Sequence, residues 1–207
     1  MKELRQVLVE DGAALGLSFS GAELDLAEAH ASRLLETNRS LNLTRIVEPA
    51  EVARRHFLES FVAAELWPAQ EGLRVACVGS GGGFPGLAGR IRRPDVSLTL
   101  LEPRTRKAAF LGRVAMALPG PPVQVAARRL QEWEGEVDVV TFRAVVLPAE
   151  DIDRVLAQGG RVVAYPGGDE GWSQELADLG FQQVAERRVG ERSVVAWERV
   201  PRGTESA

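Results

Sequence analysis

The stretch Leu73-Arg74-Val75-Ala76-Cys77-Val78-Gly79-Ser80-Gly81-Gly82-Gly83-Phe84-Pro85-Gly86 decides the fold. A short apolar run of strand length ends in a cluster of glycines. A strand that ends this way lets backbone approach a ligand where any Cβ would collide. The N-terminus of the helix that follows then offers unpaired N–H groups. Gly79, Gly81, Gly83 and Gly86 give overlapping matches to the nucleotide-loop spacing. Glycine-rich turns also serve tight strand-to-helix packing, so the loop alone does not define a ligand site. Glu102 supplies a second mark: it closes the next apolar run, 96–101, some 20 residues beyond the loop. That spacing places a carboxylate where it can accept hydrogen bonds from ribose hydroxyls.

Outward from this core, 123–126, 137–142 and 160–164 are further strand candidates, with helical stretches near 105–117, 149–157 and 172–179 between them. Strands that alternate with helices imply a parallel sheet with crossover connections. The chain closes with 181–187 and 193–198 around Val189-Gly190-Glu191, which reads as an antiparallel hairpin. Before the first strand the pattern is helical. Leu4, Val7, Leu8 and Leu15 recur at helical spacing. Ser20-Gly21-Ala22-Glu23 has the form of a capping box and opens a helix through about residue 38, with Leu24, Ala27, Ala31, Leu34 and Leu35 on one face. A loop with Asn42-Leu43-Thr44 precedes another helix over roughly 50–64, which Pro68 ends nearby.

A chain of 207 residues with 45% apolar and 26% charged side chains holds one substantial α/β domain with a modest appendage. Its one cysteine, Cys77, excludes a disulfide framework, and no Cys and His cluster calls for a metal. No apolar run approaches the ~20 residues that span a bilayer, and the charged first residues carry no apolar signal region, so the expectation is a cytosolic protein, a monomer, with no membrane contact. Net charge is −4, yet residues 86–129 carry nine basic and two acidic side chains. Such a segment can track the phosphates of a nucleic acid, or its arginines can be scattered over solvated helix faces.

Two cofactor classes share the glycine loop and the later carboxylate, a dinucleotide and a methyl donor. The helical segment before the first strand and the terminal hairpin favour the methyl donor, and nothing reads as the second, substrate domain of a dehydrogenase. The expected architecture is therefore α/β, a Rossmann-like class I methyltransferase sheet, mostly parallel with an antiparallel C-terminal hairpin and helices on both faces. Residues 1–68 are expected to form a helical cap and 69–207 the S-adenosylmethionine-binding domain, in one compact unit.

Several further runs carry a resemblance. They are Asn42-Leu43-Thr44, Arg55-His56-Phe57-Leu58-Glu59-Ser60, the Gly-Phe-Pro-Gly end of the glycine loop, Leu100-Leu101-Glu102-Pro103, Arg106-Lys107-Ala108-Ala109-Phe110-Leu111, Arg129 and Phe142-Arg143-Ala144. In this order, over about residues 36–168, the chain resembles the RsmG (GidB) family, which methylates N7 of a guanine in bacterial 16S ribosomal RNA. The resemblance implies S-adenosyl-L-methionine as cofactor and 16S ribosomal RNA or the small ribosomal subunit as partner. It implies a donor site of Gly79, Ser80, Gly81, Gly83, Phe84, Glu102, Pro103, Leu130, Gln131 and Arg143. His56, Arg129 and Arg143 would face substrate, with Arg143 as the catalytic candidate. Three positions depart from the family pattern. Cys77 stands where relatives usually carry aspartate, Gln131 where they carry glutamate, and Tyr165-Pro166-Gly167 where they tend to place a lysine before the glycine.

Alternatives stand beside each role. Arg143 can bond phosphate oxygens or guanine O6 and N7, or serve a structural salt bridge; Arg129 is as readily an ion pair as a ligand contact. His56 reads as a hydrogen bonder that orients the glycine loop, with ligand contact second, and His30 as a surface residue. Asn42 and Thr44 read as loop anchors. Trp67, Trp133, Trp172 and Trp197 read as packing residues rather than base-stacking platforms, and Cys77 as a small buried hydrophobe. A methyltransferase for a small molecule, and a degenerate relative that only binds RNA, remain open alternatives.

Overall fold

A computed structural model describes residues 1–166 and 170–200. Helix α1 (Lys2–Ala14) turns Leu4, Val7 and Leu8 inward. Ser20 and Glu23 then form the expected capping box, in which Ser20 Oγ accepts from the Glu23 N–H at 3.2 Å and Glu23 Oε2 from the Ser20 N–H at 2.8 Å. Helix α2 (Gly21–Leu41) runs on to Asn42, whose left-handed φ of 49° ends it. The loop beyond is anchored by Asn38, whose Oδ1 accepts from the Leu43 and Thr44 N–H groups at 2.7 and 2.9 Å.

The helix expected over 50–64 is not continuous. It divides into α3 (Pro49–Val52), a π-helical turn (Ala53–Leu58) and α4 (Glu59–Glu65). Single π turns are uncommon and concentrate at functional sites. This one carries Arg55 and His56 and delivers Glu59 immediately after it.

From Arg74 the strands and helices alternate. They are β1 (Arg74–Val78), α5 (Gly86–Arg92), β2 (Ser97–Leu101), α6 (Thr105–Ala115), β3 (Gln124–Ala126), a 3₁₀ turn (Leu130–Glu132), β4 (Val137–Arg143), α7 (Ala149–Val155), β5 (Leu156–Tyr165), α8 (Glu170–Asp178), β6 (Phe181–Val189) and β7 (Arg192–Arg199). Sheet order is β3-β2-β1-β4-β5-β7-β6. The first five strands pair in parallel and β7 pairs antiparallel to both β5 and β6. The central strands are apolar on both faces because helices cover both, as parallel sheets require. Strand β5 begins earlier than its composition suggests: Leu156 already pairs with Val137 across a register shift.

One face of the sheet shares a core with the N-terminal helices, in which Leu4, Leu8, Leu34, Phe57 and Phe61 meet Val75, Cys77, Leu98 and Leu100. The other face packs Val140, Phe142, Ile152, Trp172 and Trp197. Trp67, Trp172 and Trp197 are buried and Trp133 packs against the second core, so all four tryptophans serve packing. No helix among the described residues is long and apolar enough to cross a membrane. Gly167 lies outside the described residues.

Helix α5 sits so close to β1 that its first residue has no room for a side chain. A Cβ at Gly86 would lie 2.6 Å from Cys77 Cβ and 2.9 Å from its Sγ. Gly86→Ala should therefore cost about 1–3 kcal/mol through overpacking, read as a lower urea midpoint at unchanged m-value. An unchanged midpoint would show that α5 can move off the sheet freely.

Candidate active site

Three strand ends build the site. Strand β1 runs into the glycine loop, β2 into Glu102-Pro103-Arg104 and β4 into Arg143-Ala144-Val145; with Thr44 and His56 they enclose a cleft of about 710 Å³. The cleft lies at the carboxyl edge of the sheet, where the order reverses between β1 and β4, the place where open α/β sheets bind ligands. Gly79 takes a φ of +66°, and a Cβ there would come within 2.6 Å of Val145 Cγ1. The loop can lie against the segment after β4 only as glycine.

Glu102 is 3% exposed. Its Oε2 accepts from the Gly81 N–H and its Oε1 from the Arg104 N–H, both at 3.0 Å. The carboxylate is thus fixed between the glycine loop and the end of β2, and its oxygens keep lone pairs for a further donor. Ser80 turns its hydroxyl back to donate to the Cys77 carbonyl at 2.8 Å. Cys77 is buried beneath α5 and does not line the cleft; burial pushes its thiol up to about 11, the state of an inert thiol.

Phe84 lies between two imidazoles. His30 stacks on it at 4.8 Å and His56 at 4.7 Å between ring centroids. The expectation of a surface His30 is wrong: the ring is 2% exposed, and its Nε2 bonds the Gly82 carbonyl at 2.8 Å, bracing the loop from beneath. His30 sits on the buried face of α2, one residue before Ala31, and its polar partner lies 52 residues away in sequence. Burial holds its pKa down to about 4.

Arg143 gathers the other side of the cleft. Its Nη1 donates to Glu59 Oε2 at 2.7 Å and to the Arg55 carbonyl, and its Nη2 donates to His56 Nδ1 at 2.8 Å. A guanidinium only donates, so Nδ1 must accept and the ring proton must sit on Nε2. That Nε2–H donates to Thr44 Oγ1 at 2.8 Å, an oxygen that also accepts from the Ile46 N–H at 3.0 Å. Burial, and then the neighbouring charge of Arg143, hold His56 neutral with a pKa near 3. Arg143 thus makes the buried salt bridge that was one of its two readings, and it also lines the cleft. Ala144, next in the chain, has a φ of 57°, a left-handed conformation that costs a residue with a Cβ of order 1 kcal/mol.

Of the remaining candidates, Gly79, Ser80, Gly81, Phe84, Glu102, Pro103 and Arg129 line the cleft. Gly83 is buried just beneath it, 2.9 Å from His30 Cε1 at its would-be Cβ. Leu130 and Gln131 do not line it: Leu130 is buried in the second core, and Gln131 Nε2 is bonded to Asp151 at 2.6 Å. Asn38 rather than Asn42 fixes the loop that holds Thr44. The basic segment divides. Arg90 is buried and bonded to backbone carbonyls, Arg92 pairs with Glu23 and Glu65, and Arg93 pairs with Asp95. Arg104 and Arg129 are exposed and line the cleft, with Lys107 half-buried on its wall, while Arg106 and Arg128 are exposed beside them in sequence. A smaller cavity of about 380 Å³ between α1, the π turn and the β6–β7 turn includes none of the glycine loop.

Fold and cleft together define a Rossmann-like methyltransferase. The family model described as rRNA small subunit methyltransferase G matches residues 23–189. A ribosomal RNA small subunit methyltransferase G from Sorangium cellulosum is 40% identical over 139 residues, 64% of this chain and 58% of that protein. One from Solibacter usitatus is 33% identical over 202 residues, 95% of this chain and 91% of that protein. Among solved structures, a ribosomal protein L11 methylase from Lactobacillus delbrueckii subsp. bulgaricus aligns with a TM-score of 0.59 at 17% identity, over 70% of this chain and 78% of that one, a likeness of fold. The chain belongs to the rRNA small subunit methyltransferase G family.

The two buried imidazoles set the acid stability. Both pKa values are depressed in the fold, from about 6.5 in the unfolded chain to about 4 and about 3. The unfolded chain therefore binds more protons below pH 6.5, and stability falls as pH drops through that window. Each imidazole contributes a slope of up to about 1.4 kcal/mol per pH unit. Urea unfolding should give constant stability from pH 8 to 7 and a clear decline by pH 5; a flat profile to pH 5 would contradict two neutral buried rings.

Proposed function

We propose that this protein transfers the methyl group of S-adenosyl-L-methionine to N7 of a guanine in 16S ribosomal RNA, acting as a cytosolic monomer on the RNA or the small ribosomal subunit. The observation that carries this reading is the Glu102 carboxylate, bonded to the Gly81 and Arg104 amides at the sheet's switch point. That arrangement fits a nucleoside: the carboxylate takes the ribose hydroxyls while the glycine loop admits the rest of the donor without a Cβ in the way. The departures at Cys77 and Gln131 leave this cleft intact, because neither side chain enters it.

Glu102 and the glycine loop would hold the donor, whose sulfonium would supply an activated methyl group for the N7 lone pair. No proton leaves N7, so the chain needs no general base. What it must do is hold the base in line. The target base gains positive charge, and Arg143, which lines the cleft, is already compensated by Glu59. His56 stays neutral and adds no further charge. Arg104, Lys107 and Arg129 line the cleft and can attract phosphates, an attraction that weakens steeply with salt. The guanine enters unstacked, as base-specific recognition of RNA generally requires.

Calorimetric titration with S-adenosylmethionine should show micromolar binding, weakened about 10- to 100-fold by Glu102→Ala, the loss expected for hydrogen bonds to a charged group. NAD should not compete. Labelled donor should then mark small-subunit RNA. Absence of binding at millimolar donor, or binding without RNA labelling, would overturn the proposal.

A further inference from the structure

A second cavity, of about 460 Å³, adjoins the cleft at its Arg143 side; Arg143 and Ala144 line both. Its far walls are Tyr165, Glu191, Arg192 and Ser193. Tyr165 is fixed, because its hydroxyl donates to the Glu59 carbonyl at 2.6 Å. Arg192 is held near Arg143 by a shared counter-ion: Glu59 Oε2 lies 2.7 Å from Arg143 Nη1 and 3.8 Å from Arg192 Nη1. Glu191 differs from its neighbours. It sits exposed in the β6–β7 turn, and among the described residues it is the one carboxylate on the cavity wall and makes no ion pair or side-chain hydrogen bond.

We propose that this cavity takes the target base and that Glu191 reads its Watson–Crick edge. The inference rests on the guanine-N7 reading above. A guanine whose N7 faces the donor cleft turns its N1–H and 2-amino group to the opposite side of the six-membered ring. Those are two adjacent donors, and a carboxylate supplies two adjacent acceptors. Adenine offers an acceptor at N1 and no 2-amino group, so the same carboxylate repels it. Arg192, with its side chain 46% exposed, lies on the wall where O6 needs a donor. Glu191 is thus a specificity-determining residue that touches the base and stays away from the donor.

The test uses splint-ligated small-subunit RNA with guanine or inosine at the methylated position, since inosine keeps N1–H and lacks the 2-amino group. The full-length wild type should prefer guanine by about 5- to 10-fold in kcat/KM. Glu191→Ala should lose about 10- to 100-fold on guanine and bring the guanine-to-inosine ratio close to one, with donor affinity unchanged. Glu191→Gln, which keeps one acceptor, should fall between. Comparing ratios removes any intrinsic difference in N7 reactivity between the two bases. A variant that keeps the wild-type ratio, or loses donor binding, overturns the assignment to Glu191 while the guanine-N7 reading stands. A wild type that binds donor and methylates neither RNA overturns both.

Discussion

Arg143 joins the two halves of the site, and the rest of the arrangement depends on that join. The residue ends β4, yet three of its hydrogen bonds reach the π turn and the residue after it, some 85 positions earlier in the chain. Through His56 the contact continues to Thr44 and the loop that Asn38 anchors. Through the Phe84 ring, which His56 covers, it reaches the glycine loop. Without this tie the end of β4 and the glycine loop would be positioned by separate packing. A buried carboxylate such as Glu59 is costly unless it is paired, and Arg143 makes the shortest of its ion pairs, at 2.7 Å against 3.8 Å for Arg55 and Arg192.

The same join sets the charge of the site. The proposed transfer to a ring nitrogen would put positive charge on the base, and a bare guanidinium beside it would oppose that step. Here the guanidinium is already matched by Glu59, and two further N–H groups go to neutral acceptors. The strained backbone at Ala144 follows directly after the clamp. Strain of this kind persists where surrounding contacts over-determine the backbone, and Arg143 on one side with Gly79 against Val145 on the other do so.

Much of this was legible in the sequence for physical reasons. Strands buried on both faces must read as apolar runs, and a capping box is a local interaction, so the sheet, the α2 start and the terminal hairpin could be found from adjacent residues. Glu102 could be found because the spacing between the first two strand ends is set by one crossover. What was not legible depends on contacts between distant residues. His30 looks like any helical histidine until the Gly82 carbonyl, 52 residues on, accepts the hydrogen bond from its Nε2–H. Arginines 90, 92 and 93 look like a phosphate stripe until carboxylates and carbonyls from elsewhere occupy them. The π turn leaves no mark in composition, since it differs from an α-helix only in which carbonyl each amide meets. Glu191 reads as an ordinary turn residue until the sheet order brings β7 beside β5.

The neutral Nε2–H tautomer of His56 is the narrowest consequence of the clamp, and nitrogen-15 NMR of the histidine side chains reads it directly in the folded protein. The account predicts an unprotonated Nδ1 and a protonated Nε2 that persist from pH 8 to pH 5, and a change of signal when Arg143 is replaced by methionine. A proton on Nδ1, or an imidazolium already present at pH 6, would show that Arg143 does not donate to this ring and that the two halves of the site are held by something else.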